Sequence, residues 1–341
     1  MKLFIPTRAF FEPGALNYPL GQQLYDEMTA RQIPIKITPS HNRVLGIPGD
    51  TPQIAYREAK RTLVVGVKKS LTLDPCRSSA DFEFILGTSC PGGCQYCYLA
   101  TTLGRKPYVR VYVNVDEILD AVRRKIKENR PNITSFEVAS TSDPLAVEHL
   151  TGSLRKTIEF FGAQEHGRLR LVTKFANVDS LLSADHQAHT RFRFSINSDY
   201  IIKTFEANTA SLEERLTAAG KIARARYPFG FIIAPLFIYQ NWRTDYRHLL
   251  EKLARHLGPD AGQQFSFELI SHRFTARAKK IILERFPHTK LEMDESARKY
   301  KWGKYGYGKY LYPPEKLANL KDFFTSEIPQ FFPQAEIQYF I

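Results

Sequence analysis

Short apolar runs alternate with amphipathic segments through the middle of the chain. The first run covers residues 82–87, and five similar runs follow it, at residues 135–139, 169–172, 192–196, 230–233 and 265–269. Between the first two runs, apolar side chains recur at helical spacing, at Ile118, Leu119, Val122 and Ile126. Strands that alternate with helices in this way predict parallel βα units.

Six βα units are fewer than the eight that close a barrel, so residues 81–275 are predicted to form a partial (β/α)6 TIM-like barrel of the α/β class. Residues 1–80 are rich in proline and contain strand-like runs at 33–37 and 63–67. This pattern predicts a small N-terminal α/β lobe. Residues 276–341 form the predicted C-terminal extension.

Three helix starts are indicated by side chains that accept backbone N–H groups. Asn114 and Thr244 are each expected to open a helix, and Ser211 with Glu214 has the spacing of a capping box. These starts fit the helices that the βα pattern requires.

Polar side chains follow the predicted strands at the point where each strand ends. They are Ser140, Ser142, Lys174, Ser195 and Asn197, while the fifth strand ends at Ala234. In a barrel of parallel strands these ends meet at one face. The sequence therefore predicts a small-molecule pocket there, although polar residues occur at any transition from strand to loop.

Composition is that of a globular protein with a basic surface. Of the 341 residues, 43% are hydrophobic and 24% are charged, and the formal net charge is +13. No apolar run approaches the ~20 residues of a membrane span, so no membrane partner is expected. The charge excess favours a polyanionic partner such as nucleic acid, with a merely solvated basic surface as the alternative.

Three of the four cysteines, Cys90, Cys94 and Cys97, have the spacing CxxxCxxC. Structural zinc needs four ligands, and no second ligand pair is present. No secretory signal precedes the cluster, so a reducing cytosol without disulfides is expected. Three thiolates suit three irons of a 4Fe-4S cluster and leave the fourth iron open to a small molecule. Three unrelated buried thiols remain the alternative.

This motif, with Tyr96 just before the last cysteine, resembles the signature of the radical S-adenosylmethionine superfamily, whose usual fold is an open partial barrel. The resemblance implies that S-adenosylmethionine binds the open iron and that an electron from the cluster cleaves it to a 5'-deoxyadenosyl radical. Tyr96, Ser142 and Lys174 are expected at the cofactor, the latter two at its carboxylate. Ser195 or Asn197 suits its ribose, and the backbone near Ala234 suits its adenine.

The whole chain resembles the spore photoproduct lyase family of DNA-repair enzymes. The resemblance rests on residues 89–114, on the segment FEVASTSDP at 136–144, and on residues 299–310. It implies cleavage of the carbon–carbon bond in 5-thyminyl-5,6-dihydrothymine, which restores two thymines in double-stranded DNA. It also implies a flavodoxin or ferredoxin as electron donor, a monomer, and a place in the cytoplasm of the spore or germinating cell.

Residues 299–310 interleave lysines with aromatic residues and contain three glycines, which predicts a β-hairpin. Lysines neutralise phosphates, and aromatic rings stack on bases or fill the gap left by an extruded one. A hairpin whose rings pack inward is the alternative. The predicted DNA-binding residues are Arg273, Lys301, Trp302, Lys304, Tyr305, Tyr307, Lys309 and Tyr310.

One position departs from the family. The family's hydrogen donor to the product radical is a cysteine in the segment FEVASTSDP, and Ser140 occupies the matching position here. A serine O–H bond is stronger than a thiol S–H bond, so hydrogen return is expected to be impaired. Tyr96 and Tyr98 are expected in a radical relay with the donor. Cys76 has no ligand partner in the sequence and is expected to be a buried or surface thiol.

Two other functional classes share these features. Another radical S-adenosylmethionine enzyme, acting on RNA or protein, would have the same cluster and barrel. A non-enzymatic iron-sulfur protein that binds nucleic acid would share the charge and the cysteines. The non-enzymatic protein would leave S-adenosylmethionine intact under reduction. The other radical enzyme would cleave S-adenosylmethionine but would not repair the lesion, so a lesion assay identifies it.

Overall fold

The computed structural model describes residues 3–77, 79–258, 264–303, 306 and 308–341. Its strands are β1 (Arg8–Phe11), β2 (Ile35–Ile37), β3 (Thr62–Gly66), β4 (Asp74–Pro75), β5 (Phe82–Glu83), β6 (Gly87–Thr88), β7 (Gly93–Cys94), β8 (Val109–Tyr112), β9 (Thr134–Glu137), β10 (Gly167–Thr173), β11 (Thr190–Ile196), β12 (Glu206–Ala207), β13 (Phe229–Leu236), β14 (Ser266–Ser271), β15 (Lys299–Trp302), β16 (Gly308–Leu311) and β17 (Glu336–Phe340).

Its α-helices are α1 (Pro19–Ala30), α2 (Pro52–Lys60), α3 (Tyr98–Thr102), α4 (Val115–Asn129), α5 (Glu148–Thr151), α6 (Ser153–Gly162), α7 (Asp199–Phe205), α8 (Leu212–Arg224), α9 (Trp242–Leu257), α10 (Ala276–Arg285) and α11 (Pro314–Phe331). None of these helices is long and apolar enough to cross a membrane.

The six predicted barrel strands lie side by side in one sheet. Its order is β17-β14-β13-β11-β10-β9-β5-β4, and the strands from β5 to β14 pair in parallel. This arrangement confirms the predicted α/β class and the partial barrel. The antiparallel β4 adds one edge. The parallel β17 adds the other edge, from a segment for which no strand was predicted.

Alternation along the strands separates the two faces of this sheet. In β11, Phe192, Phe194 and Ile196 are fully buried in the apolar core, each contributing roughly 1.5–3 kcal/mol of burial energy. The intervening Arg193 instead binds carboxylates on β9 and β14. Because side chains alternate along a strand, Ser195 shares the face of Arg193. That face is the inside of the partial barrel.

A second sheet has the order β2-β1-β3-β8-β6. The predicted runs at 33–37 and 63–67 supply β2 and β3. Two further strands, β8 and β6, come from beyond residue 80. The second sheet therefore contains strands from both sides of residue 80, the boundary proposed from the sequence. The loop that carries the cysteines connects two strands of this sheet, β6 and β8.

The three helix starts have different outcomes. The capping box is confirmed, because Ser211 Oγ accepts from Glu214 N at 3.3 Å and Ser211 N donates to the Glu214 carboxylate at 2.8 Å. Asn114 does precede α4, but its side chain binds the backbone N and O of Lys68 instead of capping the helix. The start at Thr244 is wrong, since α9 already begins at Trp242.

The predicted hairpin is confirmed by the antiparallel pairing of β15 with β16, in which Lys301 lies opposite Lys309. It is held to the rest of the chain by Phe274 and Tyr310, which exchange both backbone hydrogen bonds at 3.2 and 2.8 Å. Three of the predicted DNA-binding residues, Lys304, Tyr305 and Tyr307, lie outside the described residues.

Candidate active site

The cysteine loop lies across the carboxyl ends of the barrel strands. Cys94 belongs to β7, which pairs antiparallel with β12 so that Cys94 is opposite Glu206. The backbone of Ser89 donates to Thr141 O at 2.7 Å, beyond the end of β9. Cys94 is buried, and the other two cysteines of the motif are partly buried. The loop is thus at the face where the sequence placed it.

The loop fits a cluster better than a single ion. All four cysteines are free thiols. No group of three or more His, Cys, Asp or Glu in the described ranges is close enough to share one metal ion, and a cluster does not require this because each thiolate binds its own iron. A Cβ at Gly92 would lie 3.4 Å from Cys90 Sγ and 3.1 Å from Thr209 Cγ2, so glycine preserves space beside the sulfur.

Burial favours the protonated thiols of Cys90 and Cys94 when no metal is bound. It raises the pKa of Cys90 and of Cys94 above the ordinary value, while the charge of Lys60 acts in the opposite direction on Cys90. Metal binding at this site must therefore displace protons.

A buried carboxylate, Glu206, lies directly under the loop. Arg215 donates to its Oε2 at 2.6 Å, Lys174 donates to its Oε1 at 2.9 Å, and the Tyr96 hydroxyl donates to Oε1 as well. Burial alone would raise its pKa, but the two cations outweigh burial and lower the pKa of Glu206 to about 2. The group is therefore an ionised anchor at neutral pH.

The predicted cofactor residues lie around this anchor. Lys174 and Tyr96 are in contact, with Nζ to hydroxyl at 3.1 Å. Ser195 O accepts from Arg215 at 2.8 Å. Asn197 Nδ2 donates to Pro235 O at 2.8 Å, which places Asn197 beside Ala234 on β13.

Ser142 is the candidate with a free hydroxyl. It is buried, and its Oγ has no hydrogen-bond partner within the described part of the chain. The next residue, Asp143, accepts from Thr173 Oγ1 at 2.8 Å and from Lys174 N at 2.8 Å. Burial raises the pKa of Asp143 to about 6 despite these hydrogen bonds. The pocket is thus rigidly supported beneath Ser142.

Tyr98 and Ser140 meet at the exposed side of the loop. The Tyr98 hydroxyl donates to the Ser140 carbonyl oxygen. The carboxylates of Glu83 and Glu137 act electrostatically on Tyr98, and they act on the Cys76 thiol as well. Cys76 is brought here because β4 pairs with β5, which lies beside β9. The fourth cysteine therefore lies within electrostatic range of Tyr98.

The Cys76 thiol keeps its proton at neutral pH. Burial and the neighbouring Glu83 carboxylate raise its pKa to about 12. A thiol in this state carries an S–H bond rather than a thiolate.

The hairpin presents one face to solvent. Trp302 is 65% exposed and Tyr300 is 51% exposed. Tyr310 instead stacks on Phe274 with ring centroids 5.3 Å apart, so its ring is already occupied. Lys301 is also exposed, and Lys309 is half-buried.

Arg273 precedes the segment that anchors the hairpin. It is half-buried, and burial lowers the pKa of its guanidinium.

Several residues of the site carry no recognisable sequence signal. Glu206 and Arg215 are charged residues that the sequence alone would place in solvent, yet both side chains are fully buried. Tyr300, by contrast, does have a sequence signal for a place on the hairpin surface, because it lies between Lys299 and Lys301. Cys76 was visible as a leftover cysteine, but its place depends on strand pairing.

Comparison with known proteins gives full-length similarity. The family model for spore photoproduct lyase matches residues 4–341. Curated relatives named spore photoproduct lyase include one from Geobacillus sp. (strain Y412MC61), 52% identical over 340 residues and covering 100% of both chains. Another, from Bacillus subtilis (strain 168), is 50% identical over 337 residues, covering 99% of this chain and 98% of the relative.

A solved structure is similar over the same length. It is a spore photoproduct lyase double mutant with bound AdoMet and dinucleoside spore photoproduct, in which one cysteine is replaced by alanine and one serine by cysteine. Its TM-score is 0.97 at 52% identity, and the match covers 100% of both chains.

Anaerobic reconstitution with iron and sulfide should give about four irons per chain, because three thiolates hold the cluster. Cys94→Ala should abolish the iron and its charge-transfer absorbance. Cys76→Ser is the matched control and should keep both. Zinc uptake without charge-transfer absorbance in the parent would contradict the cluster assignment.

Arg215→Met should lower the free energy of unfolding by about 3–5 kcal/mol, because it leaves the buried Glu206 carboxylate with one neutralising cation, Lys174, instead of two. Urea unfolding followed by circular dichroism measures the loss. Lys221→Met, which removes an exposed ion pair on the same helix, should cost less than about 1 kcal/mol. Equal losses in the two variants would mean that Glu206 does not depend on Arg215.

Trp302→Ala should weaken DNA binding by about 1–3 kcal/mol if its exposed ring stacks on a base. Lys301→Ala should reduce the salt dependence of binding by about one unit of slope. Lys125→Ala, on α4, is the control for a general loss of positive charge. Parental affinity and slope in both hairpin variants would make the hairpin purely structural.

Proposed function

The chain belongs to the spore photoproduct lyase family, and we propose that it reverses the spore photoproduct in double-stranded DNA to two thymines. The observation that carries this proposal is the position of the three cysteines over the carboxyl ends of the barrel strands. Polar groups from neighbouring strands meet there, and an exposed basic hairpin lies outside. We infer that this face receives the cluster, the small cofactor and the extruded nucleotide.

The cofactors are a 4Fe-4S cluster and S-adenosylmethionine. Cys90, Cys94 and Cys97 hold the cluster, which with S-adenosylmethionine supplies the carbon radical that takes hydrogen from the lesion. Ser142 offers a free hydroxyl for the carboxylate of S-adenosylmethionine. Lys174 supports the same end of the pocket through its contact with Tyr96.

The far end of the cofactor is assigned to the barrel strands. Ser195 or Asn197 serves the ribose, and the backbone at Ala234 serves the adenine. Both strand ends are fixed before any ligand arrives, since Arg215 holds Ser195 O and Asn197 holds Pro235 O. This preformed geometry lowers the entropy cost of binding.

The lesion must leave the duplex to reach this pocket, because a base within the stack cannot enter a barrel. Trp302 and Lys301 on the hairpin are exposed and suit the gap in the stack and the flanking phosphates. Lys309 extends the proposed DNA surface, and Lys304, Tyr305 and Tyr307, which lie outside the described residues, remain predicted DNA contacts from the sequence. Tyr310 serves this surface by anchoring the hairpin base to Phe274, and Arg273, the residue before Phe274, is proposed to contact DNA beside it.

The finer assignments follow the family. The reaction is a carbon–carbon lyase reaction, since the bond broken joins the methyl carbon of one thymine to its neighbour. A flavodoxin or ferredoxin supplies the electron, the chain acts as a monomer, and it acts in the cytoplasm of the spore or germinating cell.

Ser140 does not donate hydrogen to the product radical, because its O–H bond is too strong. The site nevertheless holds a thiol, since Cys76 shares the surroundings of Tyr98. Its raised pKa keeps the S–H bond intact at neutral pH. We propose that Cys76 donates the hydrogen atom to the product radical. This donation would replace the impaired donation that is expected if Ser140 were the donor. A solved spore photoproduct lyase double mutant, in which one cysteine is replaced by alanine and one serine by cysteine, holds the dinucleoside spore photoproduct.

This assignment balances the reaction. The Cys76 S–H bond breaks as the C–H bond of the product thymine forms. The sulfur then regains a hydrogen atom as the Tyr98 O–H bond breaks. The tyrosine regains the hydrogen first removed from the lesion, so the carbon radical that began the turnover forms again. No net oxidant or reductant is consumed. Tyr96, held by Glu206 and Lys174, lies on the cofactor side of this relay.

The decisive experiment is a single anaerobic turnover on lesion-bearing duplex, with products identified by mass spectrometry. The parent should form clean thymines without net consumption of S-adenosylmethionine, because the hydrogen first removed from the lesion is returned. Cys76→Ser should still open the crosslink but give abnormal adducts, because no thiol remains to donate. Adding Ser140→Cys to Cys76→Ser should restore clean thymines with unchanged iron content.

Two results would contradict these assignments. Clean thymines at the parental rate from Cys76→Ser would move the donor elsewhere, with Tyr98 the first residue to test. Cleavage of S-adenosylmethionine without any action on the lesion would instead indicate an RNA or protein substrate.

A further inference from the structure

Tyr56, on α2, has a buried hydroxyl without a partner. The residue is 6% exposed, and its hydroxyl makes no hydrogen bond to any described residue. Leaving a buried hydroxyl unpaired costs about 1–3 kcal/mol. A group with this cost is expected to find its partner in a bound species.

The three cysteines of the loop act electrostatically on this hydroxyl. Burial raises the pKa of Tyr56 above the ordinary value, and negative charge on Cys97, Cys94 and Cys90 acts in the same direction. All three sulfurs are therefore within electrostatic reach of one phenol. The species that would lie between them is the cluster.

Lys60 follows one helical turn later, so it shares a face with Tyr56. It is only 4% exposed, and its Nζ donates to Ser89 Oγ at 3.0 Å and to Cys90 O at 2.9 Å. No carboxylate among the described residues forms an ion pair with it. A buried ammonium without a counter-ion costs several kcal/mol, so an anion is expected nearby.

Two cations contact the Tyr56 ring. Lys60 Nζ lies 5.5 Å from the ring centroid, and the Arg285 guanidinium lies 4.9 Å from it. Arg285 also donates to Gly104 O at 2.7 Å and to Ala100 O, beyond the last cysteine. Cation–π contacts of this kind keep the hydroxyl from turning away from the loop.

We propose that Tyr56 and Lys60 form a redox-tuning contact, in which the phenol donates a hydrogen bond to a sulfur of the cluster and the ammonium compensates the cluster's charge. This inference rests on the proposed cluster. Net charge and hydrogen bonds to sulfur are among the terms that set the potential of an iron-sulfur centre. The reduced cluster carries one more negative charge than the oxidised one. Both contacts therefore stabilise the reduced form and raise the potential.

The test is a redox titration of the reconstituted full chain without DNA, followed by electron paramagnetic resonance. Tyr56→Phe removes only the hydroxyl, and Lys60→Gln removes the charge while keeping a donor for Ser89. Both should shift the midpoint potential to more negative values. For Lys60→Gln we expect the reduced-to-oxidised ratio at a fixed potential to fall about tenfold, or about 59 mV for one electron. Arg57→Gln, on the exposed side of α2, should leave the potential unchanged.

A second readout uses the metal-free chain. There Tyr56→Phe should not lower the free energy of unfolding, because the hydroxyl has no protein partner to lose. A clear loss of stability would mean that the hydroxyl serves the protein fold, which would overturn its assignment to the cluster.

The remaining outcomes are separable. Normal iron content with parental potentials in both variants overturns this inference and leaves the proposed function intact. A parent chain that takes up no iron contradicts the proposed function and this inference with it. If Lys60→Gln fails to hold iron, Lys60→Arg should restore the cluster at the parental potential, and failure of that variant overturns the role of the charge.

Discussion

The site depends on one buried carboxylate that must remain charged. Glu206 has no access to water, so its negative charge is tolerable only because Arg215 and Lys174 neutralise it. Arg215 comes from α8, Lys174 from the end of β10, and Glu206 itself from the strand that pairs with the cysteine loop. The ion pairs of this one buried carboxylate therefore connect α8, the end of β10 and β12. Because β12 pairs with β7, these ion pairs also position the cysteine loop.

The barrel was predictable because its signal is local. Each strand is a short apolar run between polar ends, and β-strand alternation sends Phe192 and Phe194 to the core and Arg193 to the inside. The hairpin and the capping box at Ser211 were equally local. β17 was missed because its sequence, EIQYF, gains its meaning only from the edge of β14 beside it. The helix start predicted at Thr244 was wrong, because the residue that precedes α9 is Asn241, three positions earlier.

The site was predictable only in part. The cysteine spacing and the polar strand ends located the face, since a parallel sheet gathers such residues at one edge. Glu206, Arg215 and Lys60 were missed because a charge in an amphipathic pattern is ordinarily solvated, and their burial follows from tertiary contacts. Cys76 has no local signature either. Its position follows from the pairing of a two-residue strand, β4, with β5, which no short-range pattern specifies.

The anchors of the cysteine loop span most of the sequence, and this bears on how the protein matures. Lys60 precedes the loop by 30 residues, whereas Arg285 follows its first bound carbonyl by 185 residues. Contacts of such separation form late, because much of the intervening chain must first be ordered. The pocket for the metal is therefore among the last parts of the molecule to be assembled. We therefore expect iron to bind a nearly finished fold and to complete the structure instead of nucleating it.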